Sequence, residues 1–155
     1  MKLFGKKIDK PQEEILVIPR EGQDHVFKAE AILDFTEFEK MCPEPEMSIS
    51  KDVKTGLETK VKSKAFDKKM DEYATNRMNY MIVKSLEATD GLEWETIDFG
   101  KIKTYGNYKD ELIDSGITES EISKLIGIVL SANSLDDTKY AEARKRFLAS
   151  QSKKA

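Results

Sequence analysis

His25 is the only histidine and Cys42 the only cysteine in this chain of 155 residues, so the side chains that most often carry protons or attack carbonyl groups occur once each. A serine-based relay or a multi-histidine metal centre would have to be assembled around His25 alone, which leaves no second imidazole as base or ligand. The reading of the flanking residues puts His25 in a hairpin loop, exposed and structurally neutral. Cys42 stands between a short helical stretch and Pro43, without a neighbouring histidine or glycine-rich turn to hold a thiolate, and reads as a small half-buried residue.

Carboxylates are plentiful, but the close pairs Asp136–Asp137 and Glu119 with Glu121 stand where helices are expected to begin. Capping and the helix dipole account for acidic residues at those places without catalysis. Gly56, Gly91, Gly100, Gly106, Gly116 and Gly127 are dispersed singly, and no P-loop, dinucleotide fingerprint, zinc pattern or calcium loop is present. The expectation is a protein that is not an enzyme, with no catalytic residue, no cofactor and no metal.

The remaining chemistry is that of binding. The segments LFGKKIDK and KVKSKAFDKK interleave lysines with Phe4 and Phe66, a combination that suits nucleic acid. Acidic residues follow both, the net charge is -3 and the pI about 5.4, so nucleic acid is an unlikely partner. A small nucleic-acid-associated regulator is a third-ranked reading, requiring salt-dependent retention on DNA or RNA. Met70, Met78 and Met81 lie near Tyr73 and Tyr80, and flexible thioethers suit both a core and an adaptable groove. Met70, Tyr73 and Met81 share one helical side, leaving Met78 and Tyr80 toward others, where a second face would meet a partner.

The elements that must carry these residues are legible in outline. Residues 1–13 form a polar, basic arm. The segment EILVIP is β-branched, stops at Pro19, and is followed across REGQD by HVFKAEAIL, which predicts a β-hairpin with a loop longer than a tight turn. Asp34 stands as the N-cap of a short helix over FTEFEKMC, ended by Pro43 and Pro45. MSISKDVKTGLETKVK is thin in large apolar residues and reads as a second exposed hairpin or a loop turning at Lys54-Thr55-Gly56.

Residues 64–88 predict one long helix, with Phe66, Met70, Tyr73 and Met81 at helical spacing and no glycine or proline inside. The following GLEWETIDFGKIK, with Trp94, Ile97 and Phe99, is expected to cross the core in extended form. Thr104 is the expected cap of a helix ending at Gly116, with Tyr108, Leu112 and Tyr105 inward. Thr118 and Glu121 match a capping box ahead of the most apolar helix, which breaks at Asn133-Ser134. Ser134 or Asp136 then caps a last helix whose apolar stripe is Tyr140, Ala143, Phe147 and Leu148.

The fold class expected is α+β, mainly α: N-terminal β-hairpins, a long helix, and a C-terminal bundle of three short helices. The organisation is a basic arm over 1–13, a small β-rich region with a short helix over 14–62, a helical domain over 63–150 and a polar tail over 151–155. With 39% hydrophobic and 35% charged residues, the chain has enough apolar material for one core under a densely charged surface. One cysteine excludes an intrachain disulfide and fits a reducing compartment, and no apolar run approaches signal-peptide or membrane-span length. A cytoplasmic location without membrane contact is expected.

From Tyr80 onward the order of features resembles the small tail-assembly chaperones of long-tailed bacteriophages, encoded just before the tape-measure protein. The residues that carry the resemblance are NYMIVKSL, LEWETIDF, TYGNYKDELIDSGITESEI, the SANSL break and the EARKRFL helix. The resemblance implies a non-catalytic chaperone in the host cytoplasm that coats the aggregation-prone tape-measure protein until the tail tube polymerises around it. Such a client requires exposed apolar surface on a soluble, charged body. The candidate partner-binding residues are Met78, Met81, Trp94, Leu125, Ile128, Val129 and Phe147. The tape-measure or tail tube protein is the implied partner, a homo-oligomer remains open, and the alternative reading is a structural virion protein of the tail or head-tail connector region.

Overall fold

The computed structural model of the chain describes residues 1–8, 10–61 and 63–153. The elements run β1 (Glu13–Ile18), β2 (His25–Glu30), α1 (Thr36–Met41), β3 (Ser48–Lys51), β4 (Glu58–Val61), α2 (Lys64–Leu86), a 3-10 turn (Ile102–Asn107), α3 (Tyr108–Asp114), α4 (Glu119–Ala132) and α5 (Asp137–Ser152). The chain is α+β and mainly α, with the β-hairpins ahead of the long helix and the shorter helices after it.

β1 and β2 pair antiparallel, with Leu16 opposite Phe27 and Ile18 opposite His25. Alternation along a strand sends Leu16, Ile18, Phe27 and Ala29 to one face, where they meet α2 and α4. Ile15, Val17 and Val26 stand on the other face and are exposed. His25 is therefore the first residue of β2 and not a loop residue, because the ladder reaches as far as its pairing with Ile18. β3 and β4 form the second hairpin, closed at its tip by Asp52 N–H donating to Leu57 O at 2.9 Å. Every strand residue of that hairpin is exposed.

The core gathers Ile18, Phe27, Ala29 and Phe38 from the first part of the chain with residues of α2, the 3-10 turn, α3 and α4. Tyr80 is its aromatic hub, 5.3 Å from Phe38, 5.7 Å from a stacked Tyr105 and 5.9 Å from Phe35. Burial pushes the Tyr80 phenol up to about 12, with Glu37 adding to the effect, so it stays a protonated donor to that carboxylate. The expectation set Tyr80 apart from Tyr73 and Met81, but Tyr80 follows Tyr73 by seven residues and so shares its side, and the last two turns of α2 are buried nearly all round by β2, α4 and the 3-10 turn, with Phe38 of α1 against the Tyr80 ring. The earlier turns of α2 keep Phe66, Met70 and Tyr73 only half-buried.

Several local starts differ from expectation. Helix α1 begins one residue beyond the expected cap, with Phe35 at the N-cap and Asp34 Oδ1 accepting from Thr36 N–H at 3.1 Å. Phe35 is held there by packing, with the Arg77 guanidinium carbon 3.9 Å from its ring centre. Thr104 caps no α-helix. Its hydroxyl closes the preceding loop by accepting from Asp98 N–H at 2.9 Å, and α3 starts only at Tyr108. The Trp94 segment forms irregular turns and no extended crossing, although Ile97 is buried as anticipated.

The capping box is present as expected: Thr118 Oγ1 accepts from Glu121 N–H and Glu121 Oε1 accepts from Thr118 N–H. Helix α4 ends at Ala132, and Ser134 takes the left-handed region with φ 65, which turns the chain into α5. Asp136 caps α5 by accepting from Thr138 N–H.

Candidate protein-binding surface

The defining feature of α5 is that none of its residues is buried. Tyr140, Phe147 and Leu148 follow i, i+7 and i+8, which places them on one side of the helix, and they are 48%, 59% and 50% exposed. The expected apolar stripe exists but no other element covers it among the described residues. The helix is moored at its start, where Lys139 Nζ pairs with Glu14 of β1 and Ser131 Oγ donates to the same carboxylate. These hydrogen bonds, the one from Lys139 foremost, hold the Glu14 carboxyl below its ordinary value. Beyond Glu142 the charged residues of α5 are all basic: Arg144, Lys145 and Arg146.

A second concave feature lies on the hairpin side. A cleft of about 500 Å³ opens between β2, residues 89–94 and the end of α3, with Val26, Leu92, Trp94, Leu112 and Ile117 among its walls. Glu111 builds one side by accepting from Glu95 N–H at 2.6 Å and from the Thr96 hydroxyl at 2.7 Å, which folds the Trp94 loop back on α3. Trp94 is half-buried against the core, and its indole N–H has no acceptor among the described residues. Thr89 closes the other side, its hydroxyl both accepting from Lys28 N–H at 2.9 Å and donating to Lys28 O at 3.0 Å.

The candidate partner-binding residues fall into three groups. Met81, Leu125 and Val129 are core residues, 5%, 1% and 0% exposed, and offer no groove: α4 turns Leu125 and Val129 onto α2 and the hairpin, and the last turns of α2 enclose Met81. Ile128 is partly buried against the same core, and Trp94 lines the cleft. Met78 and Phe147 are exposed, on α2 and α5 respectively, and do not share one groove with Trp94. Sequence reasoning missed Glu111 and Thr89, whose roles depend on backbone groups 15 or 16 and 61 residues away. It also passed over the outward face of β1 and β2, because Ile15 to Ile18 are apolar at four consecutive positions and only the observed burial alternates.

Among the described residues no group of three or more His, Cys, Asp or Glu is placed to hold a metal ion, and no helix is long and apolar enough to cross a membrane. Comparison of the chain with known protein families, with curated proteins and with solved structures finds no match.

Proposed function

We propose that this chain is a non-catalytic tail-assembly chaperone of a long-tailed bacteriophage, binding the tape-measure protein and keeping it soluble in the host cytoplasm until the tail tube encloses it. The observation that carries the binding part of this reading is α5, a 16-residue helix with an apolar stripe and no buried residue. Helices in proteins draw most of their stability from packing an amphipathic face and little from propensity. A helix with Tyr140, Phe147 and Leu148 turned to solvent is therefore suited to a helical client, with Arg144, Lys145 and Arg146 to meet client carboxylates. The choice of the tape-measure protein as client rests on the resemblance carried by NYMIVKSL through EARKRFL.

Co-expression with a tape-measure fragment tests it. A soluble complex is expected with the native chain, and Phe147→Glu should stay folded while the client precipitates. A client that stays insoluble with nothing co-purifying overturns the proposal. The exposed arm, with Leu3, Phe4 and Ile8 open to solvent, favours the competing reading of a structural virion subunit whose arm is ordered by neighbours. Mass spectrometry of purified particles separates the two, because a chaperone is absent from the virion and a subunit is present.

A further inference from the structure

We infer that the outer edge of β1 is a strand-addition site, and that its occupant is the lysine-rich N-terminal arm of a second copy of this chain. The hydrogen-bonding phase of the hairpin sets up the edge. Ala31 N–H donates to Gln12 O at 2.8 Å, so the pairs that exchange bonds across the ladder are the even-numbered residues of β1 with the odd-numbered residues of β2. The N–H and C=O groups of Glu13, Ile15 and Val17 therefore point away from β2, and none has a partner among the described residues. Helix α4 packs on the inner face of the hairpin, and Glu13, Ile15 and Val17 are exposed. An uncovered edge of this kind is a template for another strand.

The charges beside the edge select the occupant. Glu13 and Glu30 are directly opposite one another in a pair that exchanges no hydrogen bonds, the arrangement that brings side chains closest, and both are exposed with no ion-pair partner among the described residues. Two carboxylates so placed repel unless a cation sits between them. The arm carries Lys6, Lys7 and Lys10, and its described lysines are exposed and form no ion pair among the described residues. It also presents Ile8, 76% exposed, to pack beside Ile15 and Val17. Phe4 and Gly5 both have positive φ, 50 and 75, closing a tight turn between Leu3 and Lys6 of the type that joins antiparallel strands.

The arm of the same chain is poorly placed to fill its own edge. Folding back from Lys10 to Glu13 would require a two-residue turn over Pro11 and Gln12. Proline cannot adopt the positive φ that the favoured hairpin turns need at their first position, and Gln12 O is committed to β2. With the turn at Phe4-Gly5 kept, the five residues from Lys6 to Lys10 reach about 17 Å when extended, which matches about 17 Å for the edge from Glu13 to Val17, so reciprocal exchange can close a two-fold dimer.

Sedimentation equilibrium of the full chain tests the inference. The native protein should dimerise with concentration, and Ile15→Pro, which removes an edge donor without touching a ladder bond, should weaken dimerisation at least tenfold with an unchanged circular dichroism spectrum. Two charge-reversed chains, Lys6→Glu with Lys7→Glu and Glu13→Lys with Glu30→Lys, should each be monomeric and should recover a mixed dimer when combined. A native chain that stays monomeric, a dimer indifferent to Ile15→Pro, or charge-reversed chains that fail to recover on mixing would overturn it. So would loss of client capture by Ile15→Pro in a chain that is monomeric throughout, which would assign the edge to the client.

Discussion

Arg20 grips Glu121 across 101 residues of sequence, with Nη1 donating to Oε2 at 2.8 Å and Nη2 to Oε1 at 2.6 Å. Glu121 is also the reaching residue of the α4 capping box, so one carboxylate ties the loop of the first hairpin to the start of the most apolar helix. The Arg20 hydrogen bonds first, and the Thr118 N–H second, hold Glu121 down to about 2. A carboxyl depressed in the folded state contributes stability fully above its unfolded value near 4.5 and loses it as pH falls toward about 2. Thermal melts between pH 7 and pH 2 should therefore show the native chain losing stability below about pH 4.5. Glu121→Gln should start lower at pH 7 and lose less over the same interval; parallel curves would contradict the assignment. Removing the cap hydroxyl with Thr118→Ala should cost about 1 kcal/mol at neutral pH.

Leu125 and Phe147 were equal candidates for partner binding, and the structure separates them. Leu125→Ala should cost about 3 kcal/mol in denaturant unfolding, because a buried side chain leaves a cavity when it is truncated. Phe147→Ala should change stability by less than about 0.5 kcal/mol and reduce client capture in a pull-down. A large stability loss for Phe147→Ala would mean that α5 packs on the body.

Asn133 joins three elements. Its Oδ1 accepts from Ile32 N–H at 2.9 Å, and its Nδ2 donates to Ser85 Oγ at 2.7 Å and to Val129 O at 2.8 Å. Ser85 is fully buried at the end of α2, so Asn133→Ala strands a buried hydroxyl and a backbone donor together. The expected cost is about 2 kcal/mol, seen as a fall in Tm of roughly 4–8 °C.

Thr89 supplies to Lys28 the two hydrogen bonds that a neighbouring strand would make. Thr89→Val keeps the shape and removes both, with an expected loss of about 1–2 kcal/mol. Hydrogen exchange at the Lys28 amide should accelerate while the amides of Phe27 and Ala29, bonded to β1, stay protected; unchanged exchange at Lys28 would remove the assigned role.

The local signals that succeeded are of one kind. The β-branched apolar run EILVIP, the Thr118–Glu121 box and the break at Asn133-Ser134 are satisfied by residues within a few positions of each other, so they are readable without knowing the rest of the chain. Thr104 and Asp34 carried the same kind of signal and misled. Each donates or accepts within its own loop, while packing of Phe35 and burial of Tyr105 decide where the helices begin. The candidate binding site was the least legible part, because an apolar stripe at helical spacing looks the same whether it faces a core or solvent.

Taken alone, the sequence determined that the chain is α+β and mainly α, that a β-hairpin precedes a long helix, and that the chain holds one histidine and one cysteine. These follow from composition and short-range geometry, which a linear string contains. Only the tertiary structure decided that Met81, Leu125 and Val129 are core, that the stripe of α5 is unpartnered, and that β1 has a free outer edge. Burial is a property of what comes to lie against a residue, and here the pieces that meet, such as Lys139 on Glu14, are as much as 125 residues apart.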